Sequence, residues 1–250
     1  HNPAKYNGYK AYGSDGCQIT LETADRIHAE IVATDLFEDV RRLPYEEGLQ
    51  MGSIRLIGQE VEDAYLAAVL AEQRRPGVVK GSGLKVVYTP LNGAGRTCVT
   101  RAPQAIGLEQ LTLVASQAEP DGTFPTCPYP NPEDAAALQE GLAVCRREDA
   151  DLLIATDPDS DRVGIAVRDG ADYRLVTGNE TGVLLLDYIC RARLESGEMP
   201  QNPLTVKTIV TSTMVDEVAR SYGVEVVNTL TGFKFIGEQI LHLEEKGEKE

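Results

Sequence analysis

Residues 157–162 read Asp157-Pro158-Asp159-Ser160-Asp161-Arg162, one residue after the apolar run Leu152-Leu153-Ile154-Ala155. Carboxylates at alternate positions can bring their oxygens to one point only where the backbone curls into a tight loop. Three negative charges packed so closely repel one another, and a hard divalent cation offsets them. A ligand set of carboxylate oxygen alone suits Mg²⁺ or Ca²⁺ rather than zinc. Arg162 adds a permanent cation whose planar fork matches phosphate. The chemistry these residues support is the handling of a phosphoryl group beside a divalent metal.

An EF-hand calcium loop is the obvious competitor, and the spacing rejects it. Counting from Asp157, the sixth position should be glycine and is Arg162; the twelfth should be glutamate and is Arg168. A solvated acidic turn is the other alternative, since aspartate is common in turns. The segment nevertheless lies between two strongly apolar runs, Leu152 to Ala155 and Val163 to Val167.

The elements that must position this loop follow from the hydrophobic pattern. Leu21 to Ala33 reads as a helix, Pro44 to Gly58 as a connection, and Val61, Tyr65, Ala68 and Val69 recur at helical spacing. Leu84 to Tyr88 reads as a strand, followed by the loop Thr89-Pro90-Leu91-Asn92-Gly93-Ala94-Gly95. That glycine-rich turn could cradle an anion, but a lone turn of this kind is read as structural. Leu111 to Ala115 reads as a second strand, with a proline-rich loop from Glu119 to Pro130.

Asn131, Pro132, Glu133 and Asp134 predict a helix start, with Leu138, Leu142 and Cys145 on one face. The strand carrying Leu152 then delivers Asp157. A short segment around Leu175 and Val176 leads to Gly178-Asn179-Glu180, where Glu180 suits a site or a cap, and to a helix with Val183, Leu186 and Cys190. Residues 206–210 and Glu225 to Val227 read as strands. Val215, Val218, Ala219 and Tyr222 form one helical face, and Phe233, Ile236, Ile240 and Leu243 another. Alternating strands and helices predict largely parallel α/β layers in two similar units, with a break near residues 169–178. Ligands in such sheets bind beyond the carboxyl ends of strands, where Asp157 falls.

Composition narrows the function classes. A hydrophobic content of 42% and a charged content of 25% over 250 residues describe a globular protein with one or two domains. The formal charge of −15 argues against nucleic-acid binding. Cys17, Cys98, Cys127, Cys145 and Cys190 include no CxxC pair, so neither zinc nor a redox motif is indicated. Reduced thiols point to a cytoplasmic setting, and no apolar run is long enough to cross a membrane. The chain starts on His-Asn-Pro without Met and ends in a charged run, which reads as an internal fragment.

Three motifs in order resemble the α-D-phosphohexomutase superfamily, in its phosphoglucomutase/phosphopentomutase branch. They are His1-Asn2-Pro3-Ala4-Lys5-Tyr6-Asn7-Gly8-Tyr9-Lys10, the loop Asp157 to Arg162, and Thr231-Gly232-Phe233-Lys234, with Gly178-Asn179-Glu180 between the last two. The resemblance implies consecutive three-layer α/β/α domains with mixed, largely parallel sheets. It divides the chain into residues 1–55 (the end of a nucleophile domain), 56–172 (a metal-binding domain) and 173–250 (the start of a sugar-binding domain).

The activity it implies is interconversion of glucose 1-phosphate and glucose 6-phosphate through a phosphoserine, with glucose 1,6-bisphosphate as intermediate and activator. That serine would lie immediately ahead of His1, so the fragment itself is expected to be inactive. Asp157, Asp159 and Asp161 are implied ligands of Mg²⁺. Lys10, His1 and Arg162 are implied catalytic residues, and Asn2, Thr231, Gly232 and Lys234 are implied to bind the phosphorylated sugar. Taken without the motif, Lys10 and Lys234 are solvated lysines, Arg162 is a surface ion pair and Thr231 is a helix cap.

Pro158 and Ser160 stand where the family's loop commonly has glycine, while all three carboxylates are kept. Sugar choice stays open among glucose, mannose and pentose, and a bisphosphate synthase or a non-catalytic sugar-phosphate-binding protein is the alternative class. No membrane or nucleic-acid partner is implied. Self-association through incompletely covered apolar faces is expected.

Overall fold

The computed structural model describes residues 10–14 and 16–245, which form two compact units. The first unit, Glu62–Met199, is built on five strands. These are β1 (Lys85–Thr89), β2 (Gln110–Leu113), β3 (Leu152–Thr156), β4 (Val163–Asp169) and β5 (Asp172–Val176), in the spatial order β2-β1-β3-β4-β5. β1 lies parallel to β2 and β3, whereas β3–β4 and β4–β5 are antiparallel. The sheet is therefore mixed.

β-Branched and aromatic residues fill β1, and Val87, Tyr88 and Thr89 in it are fully buried. A central strand covered on both faces has no need of polar alternation. Val87 packs with Leu142, Cys145, Leu153, Ala155 and Ala166 in the main core cluster. One helix, α5 (Gln139–Glu148), supplies Leu142 and Cys145 and packs across β1 and β3. The pairing Thr156↔Val163 closes the β3–β4 hairpin, so residues 157–162 are its six-residue connection.

Three more helices belong to this region of sequence: α3 (Gln59–Ala71), α4 (Arg96–Ala105) and α6 (Gly178–Ser196). Arg75, after α3, reaches α6 through an ion pair to Glu195 at 2.6 Å and lies 5.2 Å from the centre of the Tyr188 ring. The helix expected from Asn131 begins eight residues later, at Gln139. Asn131 Oδ1 accepts from the Glu133 N–H and Asp134 Oδ1 from the Ala136 N–H, and these local turns compete with helix. The segment around Leu175 and Val176 is the edge strand β5, which continues the same sheet.

The second unit joins residues 10–61 to residues 200–245. It contains α1 (Leu21–Ala33), capped by Thr20, and the short α2 (Tyr45–Gln50) within the expected connection. Two parallel strands, β6 (Leu204–Thr208) and β7 (Glu225–Thr229), are joined through α7 (Met214–Ser221). The helix α8 (Phe233–Glu245) packs on both strands. Gly237 lets α8 approach the Cys17 sulfur, which a Cβ at that position would meet at 2.8 Å.

Candidate metal centre

The hairpin connection after β3 curls back on itself. Ser160 N–H donates to the Asp157 carbonyl at 2.9 Å, and Ser160 adopts φ 62°. That left-handed residue reverses the chain between the second and third carboxylates. Asp157 is fully buried, whereas Asp159 and Asp161 are exposed, and each offers an oxygen within 4.8 Å of the other two. One cation coordinated by oxygens at about 2.1–2.6 Å can bridge a set of that size after slight side-chain closure.

Electrostatics point the same way. Burial pushes the Asp157 carboxyl up, and the hydrogen-bonded Asp159 side chain adds to the effect. The Arg162 backbone N–H and charge oppose it without prevailing. A buried carboxylate facing two neighbours of like sign is what a bound divalent cation would stabilise. The donor set is all oxygen, so the residues present fit Mg²⁺ or Ca²⁺.

Arg162 is bound into this cluster. Its Nη2 lies 3.1 Å from Asp157 Oδ2 and its Nε 3.8 Å from Asp161 Oδ1, while 46% of its side chain stays exposed. The structure thus brings together four of the sequence-derived site residues, Asp157, Asp159, Asp161 and Arg162. Lys10, Thr231, Gly232 and Lys234 lie in the second unit. Lys10 is exposed, and its neighbour Ala11 lines a cavity of about 240 Å³ together with Lys234. Gly232, at φ 131°, precedes α8, and the Lys234 ammonium lies 4.8 Å from the centre of the Phe235 ring. His1 and Asn2 fall outside the described residues.

Glu180 takes the capping role. Its carboxylate accepts from the Thr177 N–H at 2.8 Å while Thr177 Oγ1 accepts from the Glu180 N–H, a complete capping box on α6. The residues that sequence reasoning undervalued are in the loop after β1, whose Ala94 N–H donates to the Pro158 carbonyl at 2.8 Å. The signal was two glycines, Gly93 and Gly95, directly after a buried strand, where a neighbouring backbone can approach.

Fold and site together define an α/β protein in which three carboxylates that fit a divalent cation converge beside an arginine at the carboxyl end of a buried strand. Residues 63–170, 177–246 and 1–37 match, respectively, the alpha/beta/alpha domains II, III and I of the phosphoglucomutase/phosphomannomutase family. A phosphoglucomutase of Staphylococcus epidermidis is 36% identical over 246 residues, which is 97% of this chain and 43% of the relative. One from Staphylococcus aureus is 35% identical over 248 residues, again spanning 43% of the relative.

Among solved structures, a Thermus thermophilus protein with a provisional phosphomannomutase assignment superposes with a TM-score of 0.68 at 24% identity. The match covers 91% of this chain and 46% of that one. A phosphoglucomutase/phosphomannomutase family protein from Burkholderia thailandensis gives 0.57 at 23% identity, covering 75% and 36%. These two likenesses concern the fold. The chain belongs to the α-D-phosphohexomutase superfamily, and it spans less than half the length of the curated relatives it matches.

Proposed function

We propose that the protein carrying this chain is a phosphosugar mutase interconverting glucose 1-phosphate and glucose 6-phosphate through a phosphoserine and glucose 1,6-bisphosphate. The observation that carries this reading is the loop 157–162. One fully buried and two exposed carboxylates converge there with Arg162 attached, at the carboxyl end of β3. The choice of glucose over mannose or a pentose is supported by relatives named phosphoglucomutase at 35–36% identity.

Asp157, Asp159 and Asp161 would hold Mg²⁺, which when bound draws charge off the phosphoryl oxygens during transfer. The half-exposed Arg162 guanidinium steadies phosphate at the same place by charge-assisted hydrogen bonds. Lys10 moves a proton at the attacking sugar hydroxyl, a role open to lysine where neighbouring cations favour its neutral form. Thr231, Gly232 and Lys234 meet the sugar phosphate at the start of α8, where backbone N–H groups and the helix dipole favour an anion. His1 and Asn2 flank the phosphoserine. The corresponding division is a nucleophile-domain segment over 1–55, a metal-binding domain over 56–172 and a sugar-binding segment over 173–250. An enzyme acting on free sugar phosphates belongs in the cytoplasm.

The test is a coupled assay of the protein carrying this chain, on glucose 1-phosphate with Mg²⁺ and a trace of glucose 1,6-bisphosphate. Metal-dependent formation of glucose 6-phosphate is expected. Failure with glucose, mannose and ribose phosphates alike would overturn the mutase reading. The 250-residue chain alone is expected to bind metal without turnover.

A further inference from the structure

The loop after β1 contributes no ligand to the carboxylate cluster, yet it is packed against that cluster's backbone. Ala94 N–H donates to the carbonyl of Pro158, the residue between the first two carboxylates. Gly93 lies so close that a Cβ on it would come within 2.6 Å of the Pro158 carbonyl oxygen. At Gly95 a Cβ would lie 2.6 Å from both Ser160 Oγ and the Tyr88 hydroxyl, and 2.8 Å from Thr156 Oγ1. The Tyr88 and Thr156 hydroxyls share a hydrogen bond at 2.9 Å, joining the ends of β1 and β3.

This turn is anchored on its other side. Leu91 and Asn92 both take positive φ, at 47° and 57°. Asn92 N–H donates to the Gln117 carbonyl at 2.9 Å, and Asn92 Nδ2 to the Glu119 carbonyl at 2.9 Å. Thr89 Oγ1 donates to Gln117 Oε1 and accepts from the Leu91 N–H. A turn fastened at so many points has little room to retreat from the metal loop.

We infer that Gly93 and Gly95 are positioning residues for the cation site. Their lack of side chains lets the loop after β1 clamp residues 158–160, and the clamp holds Asp157 and Asp159 at coordinating distance. A methyl group at position 93 must displace the Pro158 backbone, and the carboxylates on either side move with it. This rests on the three aspartates being metal ligands.

The experiment titrates the purified 250-residue chain with Mn²⁺, an oxygen-preferring probe, by calorimetry and electron paramagnetic resonance, alongside urea unfolding without metal. Gly93→Ala is expected to bind Mn²⁺ about tenfold more weakly than the unsubstituted chain, the scale of losing support behind a ligand. Gly141→Ala is the control for stability alone, because its methyl would meet the Leu153 side chain at 2.8 Å in the core, away from the loop. It should lose stability and keep Mn²⁺ affinity.

Should Gly93→Ala fail to fold, Gly95→Ala serves instead, since its close atoms are hydroxyl oxygens that can shift. It should bind Mn²⁺ more weakly, with partial recovery when Tyr88→Phe removes one of those hydroxyls. Equal affinity in the unsubstituted chain and the glycine variants would overturn the positioning role alone, as would parallel losses in Gly141→Ala. No saturable Mn²⁺ binding by the unsubstituted chain would overturn the ligand assignment, and the positioning role with it.

Discussion

Arg162 engages both oxygens of the Asp157 carboxylate: its backbone N–H donates to Oδ1 at 2.9 Å and its Nε donates to Oδ2 at 3.2 Å. The buried end of the loop is thereby tied to its exposed end. The same arginine that would steady phosphate also compensates the one carboxylate of the three denied solvent.

Removing the guanidinium separates these roles. Arg162→Ala keeps the backbone bond, so it should cost about 1–2 kcal/mol, a charged hydrogen bond reduced by solvent exposure. Urea unfolding measures that loss. Arg162→Lys keeps the charge without the planar fork and should regain part of the stability but little of the turnover. Full turnover in Arg162→Lys would show that a point charge suffices at this position.

Asp159 is exposed, so its replacement should act on the metal and not on the fold. Asp159→Asn is expected to abolish most Mn²⁺ binding and, on the proposed mutase reading, to cut turnover by the protein carrying this chain severely. Asp159 also helps push the Asp157 carboxyl up. Losing its charge relieves that repulsion, so the metal-free variant should unfold at an equal or higher urea concentration. Unchanged Mn²⁺ affinity would remove Asp159 from the ligand set.

The carboxylates and Arg162 were legible because all four lie in one six-residue segment, whose alternate spacing already restricts how they can converge. α1 was legible for the same local reason, with Thr20 to cap it and a regular apolar stripe behind. Gly93 and Gly95 were not, because most of the atoms that forbid a side chain there belong to Pro158, Thr156 and Ser160, more than sixty residues away, and the Tyr88 hydroxyl beside Gly95 is placed only by the folded sheet. Asn131 misled because one side chain can cap a helix or close a turn. A tertiary contact adds to this at Gly164, where a Cβ would meet the Pro132 carbonyl carbon at 2.6 Å, so the Pro132 backbone is packed against β4 before α5 begins. Lys10 and Lys234 carry no local signal beyond their motif.

The capping box at α6 predicts a defined pH response. The Glu180 carboxyl is held below its ordinary 4.5, first by the Thr177 backbone N–H and then by Arg174, 2.9 Å away. A carboxylate with a depressed folded value stabilises the fold above 4.5, and that contribution is lost as pH falls through the folded value. Glu180→Gln should therefore lower stability at neutral pH and flatten its decline in acid. Urea midpoints between about pH 3 and 6 provide the comparison. A decline as steep as in the unsubstituted chain would assign the acid sensitivity to other carboxylates.

The cysteines test whether the core of the first unit is closed. Cys145 on α5 is fully buried, and burial pushes its thiol up to about 11 against the pull of Arg146 and Arg168. Cys127 and Cys190 are buried too, and burial raises both thiols. Cys17 and Cys98 are only partly covered. Alkylation proceeds through the thiolate and needs access, so iodoacetamide near pH ~8 should label Cys17 and Cys98 first. Cys127, Cys145 and Cys190 should react only once guanidinium has unfolded the chain. Peptide mass spectrometry reads each site separately. Native labelling of Cys145 as fast as Cys98 would mean that α5 lifts from β1 and β3 without global unfolding. The strand that delivers Asp157 would then lose its cover in the same motion.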